Sequence, residues 1–234
     1  MRSVNDPFTA CYAVLFKPNQ VFATLARANN WSWIPFLLLM LMSVLPAFIY
    51  FNVVDFEWYR DFIISQQFAD ISPAEQENVR RNLTPGGMIT LTLFTSALGL
   101  IALNALQAMY LNTMARMDQE QVHGFADWFG LMWWVSLPAV VGNMLSLLIL
   151  VLSGNDQFPP AQLSVTSLSY WLSVPMDSPW FTLAQVIRLE SFWSIYLIAV
   201  AITKWTNIRS NTAWNIAIGP YVVIWGLWSI AIVW

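Results

Sequence analysis

Two charged side chains stand in a stretch of the sequence that is otherwise apolar enough to enter a membrane. Val186–Ile202 reads VIRLESFWSIYLIAVAI and carries Arg188 and Glu190 near its start. Residues two apart point about 200° away from each other on a helix, so this pair cannot interact directly. If the helix begins at Leu183, Glu190 lies about 10 Å below the membrane edge. If it begins at Leu189, both charges lie at the water boundary, which we favour because charges deep in a bilayer are costly.

Amide side chains in two other apolar stretches could form, together with these two charged residues, a polar path through the membrane. The predicted intramembrane polar cluster consists of Asn104, Gln107, Asn143, Arg188 and Glu190. Transporters use polar midpoints in broken helices to bind ions or small solutes, so a lined pathway is one interpretation. Hydrogen bonding between packed helices explains the same residues. We favour packing, because the sequence shows neither an inverted repeat nor a carboxylate at the centre of a span.

Catalytic and metal chemistry find little support in the sequence. The chain has one Cys, Cys11, and one His, His123, which argues against an intrachain disulfide, a thiolate cluster and a paired-His metal site. No Gly-rich phosphate loop occurs, and no nucleophile has a His base nearby in the sequence. The net charge of −3 does not suggest binding to nucleic acid. We therefore predict a protein that is not an enzyme, has no cofactor and binds no nucleic acid.

The composition indicates a protein embedded in lipid. Hydrophobic residues make up 58% of the 234 residues and charged residues only 10%, against roughly 25% charged in soluble domains. A spanning helix needs about 20 mostly apolar residues, and five stretches meet this condition. They lie at residues 34–54, 88–114, 128–152, 183–203 and 213–234. The predicted fold is all-α, a polytopic membrane protein with a five-helix transmembrane domain over residues 34–234.

Small residues in the second and third spans predict the faces through which the helices pack. Because lipid offers no hydrophobic force between helices, small and polar side chains mark their contact faces. The predicted helix-contact residues are Thr92, Ser96, Gly99, Gly142 and Ser146. Thr92 with Ser96, and Gly142 with Ser146, are four residues apart, which places each pair on one side of a helix.

Prolines inside three of the spans predict hinges. Each proline removes a donor from the helical hydrogen-bond ladder and so kinks or loosens its helix. The predicted hinge residues are Pro46, Pro138, Gly219 and Pro220. We expect the strongest hinge at Gly219–Pro220, where a flexible residue precedes the proline.

The N-terminal residues 1–33 are predicted to form a cytoplasmic amphipathic segment. Asp6 is placed to cap a helix that begins at Pro7, and a second short helix follows Pro18. Such a segment lies in the headgroup plane or docks a soluble partner. We favour contact with lipid or with the protein itself.

The loop at residues 55–87 is predicted to form an amphipathic helical cap on the outer side. Ser72-Pro73-Ala74-Glu75 matches a capping box, in which Ser72 and Glu75 exchange hydrogen bonds with each other's backbone amides. This motif predicts a helix over residues 73–82.

The charges of the loops predict the orientation in the membrane. One side carries six Lys and Arg residues and the other three, namely Arg2, Lys17, Arg27, Arg116, Lys204 and Arg209 against Arg60, Arg80 and Arg81. Lys and Arg residues favour the cytoplasmic side. We predict a bacterial inner (plasma) membrane protein with a cytoplasmic N-terminus and a C-terminus on the periplasmic or outer side.

Three stretches of the sequence share their layout with a known family. They are CYAVLFKPNQVFATLARANNWSWIPF, GFADWFGLMWWVSLPAVVGNMLSLLIL and SFWSIYLIAVAI. In that order they resemble the opening, the third span and the fourth span of bacterial Ypt-interacting-protein (Yip) family membrane proteins. The resemblance implies a five-span integral membrane protein that assembles with itself or with other membrane proteins. Eukaryotic members of the family are linked to vesicle trafficking and small GTPases.

Two functions follow as hypotheses. The first is a non-enzymatic membrane-organising or accessory protein that acts through self-association and partner binding. Its expected partners are the lipid bilayer, further copies of the chain and other membrane or cytoplasmic proteins. The alternative is a transporter or channel for an ion or small solute, with a polar path between the spans.

Overall fold

A computed structural model describes residues 6–28 and 30–234 of the chain. These described residues form helices and contain no strand, so the predicted all-α class is confirmed. Helices and one 3-10 turn follow each other along these residues. Their bounds are α1 Pro7–Phe16, α2 Pro18–Leu25, α3 Trp33–Val53, α4 Phe56–Gln67, α5 Pro73–Asn82, α6 Pro85–Ala115, α7 Phe125–Val135, α8 Pro138–Ser153, the 3-10 turn Pro160–Leu163, α9 Leu168–Trp171, α10 Phe181–Val186, α11 Leu189–Trp205 and α12 Ser210–Val233.

Four helical stretches in the described residues are long and apolar enough to cross a membrane. They are Trp33–Val53, Pro85–Ala115, Phe125–Ser153 and Ser210–Val233. Large apolar side chains face outward along them, and only 6% of the most apolar window of α6 is buried inside the fold. A surface of this kind requires lipid rather than water around it. These helices place the protein in a membrane.

The sequence predicts five spans, and the fourth of them is where the structure differs. Residues 183–203 do not form one helix, because α10 ends at Val186 and α11 begins at Leu189. The helix α11 has 17 residues, or about 25 Å at ~1.5 Å per residue, which is somewhat short for a hydrocarbon core of ~30 Å.

The three prolines inside the predicted spans have different local effects. Helices α3 and α12 continue through Pro46 and Pro220. The predicted span 128–152 consists of two helices, α7 and α8, since the chain turns at Ser136–Leu137 before Pro138. Pro138 has no N–H to donate to the Trp134 carbonyl four residues earlier. The Leu137 N–H donates to that carbonyl instead, at 3.3 Å, which closes a tighter turn than that of an α-helix.

Helix caps form where their sequence motifs predict them. Asp6 accepts a hydrogen bond from the Thr9 N–H at 2.8 Å and begins α1. Hydrogen bonding with the Thr9 side chain, and then with its backbone N–H, lowers the pKa of the Asp6 carboxyl. Ser72 N–H donates to Glu75 Oε2 at 3.0 Å, and Glu75 N–H donates to Ser72 Oγ at 3.4 Å. The capping box and the helix at residues 73–82 are thereby confirmed.

The N-terminal helices differ from each other in their exposure. Helix α2 buries one side, with Val21, Phe22 and Leu25. Helix α1 is apolar on both sides, in contrast to the amphipathic helix expected there. Its buried residues are Ala10, Ala13 and Val14, and its exposed ones include Phe8, Tyr12 and Phe16. Of the predicted segment 1–33, residues 1–5 and 29 lie outside the described residues.

The chain forms two compact units. The first, here called unit 1, comprises residues 1–40, 99–141 and 190–234, and the second, unit 2, comprises 41–98 and 142–189. The core of unit 2 is an aromatic and aliphatic cluster of Tyr50, Phe51, Tyr59, Ile63, Leu150 and Phe158. The fully buried side chains of unit 1 include Phe22, Trp128, Trp134, Leu197 and Ile202.

Candidate functional site

Asn104 is a buried polar residue of α6 that lies beside the break between α7 and α8. Its side chain is 5% exposed, and its Oδ1 lies 3.2 Å from Ser136 Oγ. Ser136 has one hydroxyl proton, and its Oγ is also 2.8 Å from the Met132 carbonyl, so Asn104 Oδ1 and this carbonyl share one donor. Asn104 Nδ2 has no hydrogen-bond partner among the described residues. The amide is therefore a polar group that this bundle satisfies only in part.

A second polar group of unit 1, Tyr110, lies nearly two turns further along α6. Tyr110 donates its hydroxyl proton to the Ile216 carbonyl in α12 at 3.1 Å. This carbonyl is four residues before Pro220, which has no N–H to offer it within the helix. Tyr110 thus supplies the hydrogen bond that the proline removes.

Further polar side chains lie near Tyr110 between α6 and α12. Gln107 interacts with the hydroxyl of Tyr221, and a cavity of about 10 Å³ lies between them and Pro220. Such a volume is about that of one water molecule, ~10–15 Å³. A Cβ on Gly219 would lie 3.1 Å from the Tyr110 hydroxyl, so a glycine there lets the two helices approach closely. The predicted hinge residues Gly219 and Pro220 therefore form a helix contact.

Arg188 lies outside any helix, contrary to the helical position assumed for it. It sits between α10 and α11 and forms an isolated antiparallel bridge with Ser167. Its Nε and Nη2 donate to Thr166 Oγ1 at 3.2 and 3.1 Å. Leu189 N–H also donates to the Thr166 carbonyl at 3.0 Å. Arg188 thus ties the loop at Thr166 to the chain before α11.

Glu190 and Asn143 are the remaining members of the predicted cluster. Glu190 belongs to unit 1 and lies part-buried in the first turn of α11, at the helix start that the edge interpretation requires. Asn143 belongs to unit 2 and is part-buried in α8. In unit 1 the structure brings Asn104 and Gln107 onto one helix, each with its own partner.

The predicted helix-contact residues have unequal surroundings. Ser146 is buried and donates to the Gly142 carbonyl at 3.0 Å, and it also contacts the Leu163 carbonyl. Thr92 and Ser96 are only part-buried on α6. A Cβ on Gly99 would meet no atom within 4 Å. The α8 pair is thus used within unit 2, whereas Gly99 of α6 has space in front of it.

An aromatic cavity of about 620 Å³ lies in unit 1, and sequence reasoning did not find it. Seven aromatic side chains that line it are Trp31, Trp33, Phe36, Phe129, Trp133, Trp134 and Trp205. Ser32 and Asp127 also line it, and Ser32 Oγ accepts a hydrogen bond from Trp134 Nε1 at 3.2 Å. The i, i+4 spacing of Phe129 and Trp133 on one side of α7 was the available signal.

The single histidine packs beside this cavity. His123 stacks on Trp205 with ring centroids 4.4 Å apart. Burial lowers the pKa of His123, and the nearby Asp127 partly opposes this effect. Burial also raises the pKa of Cys11 to about 11, which keeps this thiol protonated at neutral pH. The described residues contain no group of three His, Cys, Asp or Glu side chains that could hold a metal ion.

Asp118 connects two loops of unit 1 near His123. It accepts hydrogen bonds from the backbone N–H groups of Asn207 at 2.8 Å and Glu120 at 3.1 Å. These bonds, that of Asn207 first, lower the pKa of the Asp118 carboxyl. The loop after α6 is thereby held against the loop before α12.

Comparison with known proteins identifies a family. A sequence model of the Yip1 domain matches residues 12–233, nearly the whole chain. No curated protein and no solved structure matches the chain. The resemblance to the Yip family seen in the sequence is confirmed by this match.

Proposed function

The chain belongs to the Yip1 domain family, which is associated with membrane trafficking, and on this premise we propose that it is a non-enzymatic membrane-organising or accessory protein. It acts through self-association and through binding other membrane or cytoplasmic proteins. The observation that carries this proposal is the open position at Gly99 on α6, where a Cβ would meet no atom within 4 Å, together with the exposed Thr95 four residues before it.

The proposed topology has five spans, with α11 as the fourth in chain order. Helix α11 is 17 residues long, and a slightly thinner local bilayer or the α10 residues before it can compensate for this length. The bias of Lys and Arg residues then supports a cytoplasmic N-terminus and a C-terminus outside, in a bacterial inner membrane. The exposed aromatic side of α1 supports contact with the headgroup region.

Self-association through α6 follows from the physics of helix packing in lipid. Small residues let two helix backbones approach closely, and dispersion contacts and weak hydrogen bonds then stabilise the pair. Thr95 lies on the exposed side of α6 and Gly99 four residues further along it. Two copies of α6 can pack along this side without moving any part of the protein that surrounds Gly99.

The test replaces Gly99 by Leu and measures the mass of the protein in nanodiscs or detergent by light scattering. Gly99→Leu should shift the wild-type oligomer to monomer, because the new side chain occupies the contact face. Gly226→Leu is the matched control, since a Cβ on Gly226 in α12 also meets no atom within 4 Å. A monomeric wild type, or an oligomer that survives Gly99→Leu, contradicts self-association through α6.

A transport function remains the second candidate, because Asn104 is a buried amide with an unpaired Nδ2 among the described residues. It lies beside the break before Pro138, and broken helices with polar midpoints occur in transporters. Liposome flux of a small solute or ion tests this function. A flux that persists after Gln107→Leu and Glu190→Leu rules out the polar cluster as its route.

A further inference from the structure

The aromatic cavity of unit 1 has the size and the wall of a ligand site. Its volume of about 620 Å³ falls within the ~300–1,000 Å³ of small-molecule sites. Three ring pairs pack edge to face along it. Trp33 lies 5.4 Å from Phe36, Phe36 lies 4.9 Å from Trp133, and Trp133 lies 5.4 Å from Phe129. Each ring holds the next in a favourable geometry, so the wall is formed before any ligand arrives.

The cavity lies where helix ends meet, at the level expected for lipid headgroups. Trp33 begins α3, Asp127 is in the first turn of α7 and Trp205 ends α11. Trp residues are enriched at this depth in membrane proteins. Ile101 lines the cavity from a point about 20 Å before the end of α6, at ~1.5 Å per residue. The space therefore runs from the headgroup level toward the acyl chains.

The polar groups of the cavity select the sign of the ligand's charge. Asp127 is the only charged side chain among the described residues that line it. Its Oδ2 accepts from the Gly124 N–H at 2.8 Å, which leaves its second oxygen for a ligand. The ring of Trp33, which lines the same cavity and is 63% exposed, attracts cations through its π electrons. A carboxylate beside aromatic rings attracts an ammonium group and repels an anionic headgroup.

Ser32 supplies a hydroxyl donor to the wall of the same cavity. Its hydroxyl oxygen accepts from Trp134 Nε1, so the hydroxyl proton can be donated to an oxygen of the ligand. A phosphate ester oxygen close to an ammonium group would fit this donor. Phe36 and Ile101 then face the apolar part of the same molecule.

We propose that the aromatic cavity binds one membrane lipid whose headgroup carries an ammonium group. The ammonium lies at Asp127 and Trp33, the phosphate at Ser32, and an acyl chain along Phe36 and Ile101. This site does not depend on self-association through α6, and it would serve the membrane-organising role by making the protein selective for a lipid.

Native mass spectrometry of the full chain, released from nanodiscs, tests the proposal. The nanodiscs contain equal amounts of phosphatidylethanolamine and phosphatidylglycerol with identical acyl chains. Asp127→Asn removes the charge and keeps an oxygen that can accept from Gly124. Asp118→Asn is the matched control, because it removes the same charge from a loop of unit 1 that does not line the cavity. Trp33→Leu removes an exposed ring and leaves the buried core intact.

We expect the wild type to retain one phosphatidylethanolamine about five times as often as one phosphatidylglycerol. Asp127→Asn and Trp33→Leu should each lower this ratio about threefold. Asp118→Asn should leave it unchanged. Equal retention of both lipids by the wild type overturns the proposal, and so does an equal loss in Asp118→Asn. Binding of glycerophosphoethanolamine, which has no acyl chains, as strongly as the lipid overturns the assignment of a lipid occupant.

Discussion

Replacing Tyr110 by Phe removes one hydroxyl that bridges α6 and α12. The hydroxyl donates to the Ile216 carbonyl at 3.1 Å, the carbonyl that Pro220 leaves without its helical partner. A buried carbonyl without a partner costs about 1–3 kcal/mol in soluble proteins. Interhelical hydrogen bonds in membranes average only ~0.6 kcal/mol, with a maximum near 1.7. Since Tyr110 is only part-buried, we expect Tyr110→Phe to lower the free energy of unfolding by about 1 kcal/mol.

The reasoning is tested by a double-mutant cycle with Pro220→Ala. Alanine restores an N–H that can reach the Ile216 carbonyl within α12, so Tyr110→Phe should then cost almost nothing. The two changes should therefore couple by about 1 kcal/mol in reversible unfolding measured in mixed micelles. Tyr12→Phe is the control, because Tyr12 is 69% exposed on α1 and its loss should change stability by less than about 0.5 kcal/mol. Equal costs of Tyr110→Phe in both backgrounds refute the argument.

Three further predictions concern other contacts. A Cβ on Gly130 would lie 2.9 Å from Ser32 Oγ and 3.5 Å from its Cβ. Gly130→Ala should therefore destabilise the wild type by up to about 1 kcal/mol but stabilise the Ser32→Ala protein. The reason is that helix propensity favours Ala by about 1 kcal/mol and only the Ser32 hydroxyl opposes the new methyl group. Unfolding titrations that give the same sign of change in both backgrounds would contradict this prediction. Burial lowers the pKa of His123, so the unfolded state binds more protons near its ordinary pKa of ~6.5. The free energy of unfolding should fall as the pH drops through ~6.5 toward the lower pKa of His123 in the folded state. In thermal melts, His123→Gln should lose this dependence on pH and keep the melting temperature that the wild type has at higher pH. Ser72→Ala should weaken α5 by about 1 kcal/mol, seen as faster amide exchange in that helix with the spans unaffected.

Local features of the structure could be predicted because their causes are local in sequence. The capping box places both partners of α5 within four residues, so the start of that helix needs no information from elsewhere. The cap at Asp6 is of the same kind. Membrane spans are recognised from apolar runs of about 20 residues, since lipid acts on every segment alike.

Proline shows where this local reasoning ends. Its effect on a helix depends on whether another group satisfies the carbonyl that loses its donor. At Pro220 the donor is Tyr110, a residue of a different helix, and α12 continues. At Pro138 the helix breaks, with Ser136 turned toward Asn104. Nothing in the sequence around either proline distinguishes these outcomes.

The sequence by itself determined that this is an all-α membrane protein of the Yip1 domain family, because hydrophobic length and motif order are properties of the chain read residue by residue. Tertiary structure alone decided that Arg188 leaves the helix to bond Thr166, 22 residues away. It also decided that Trp33, Asp127 and Trp205 meet around one cavity. Contacts of this kind arise when distant segments pack against each other, and their geometry depends on which faces those segments present.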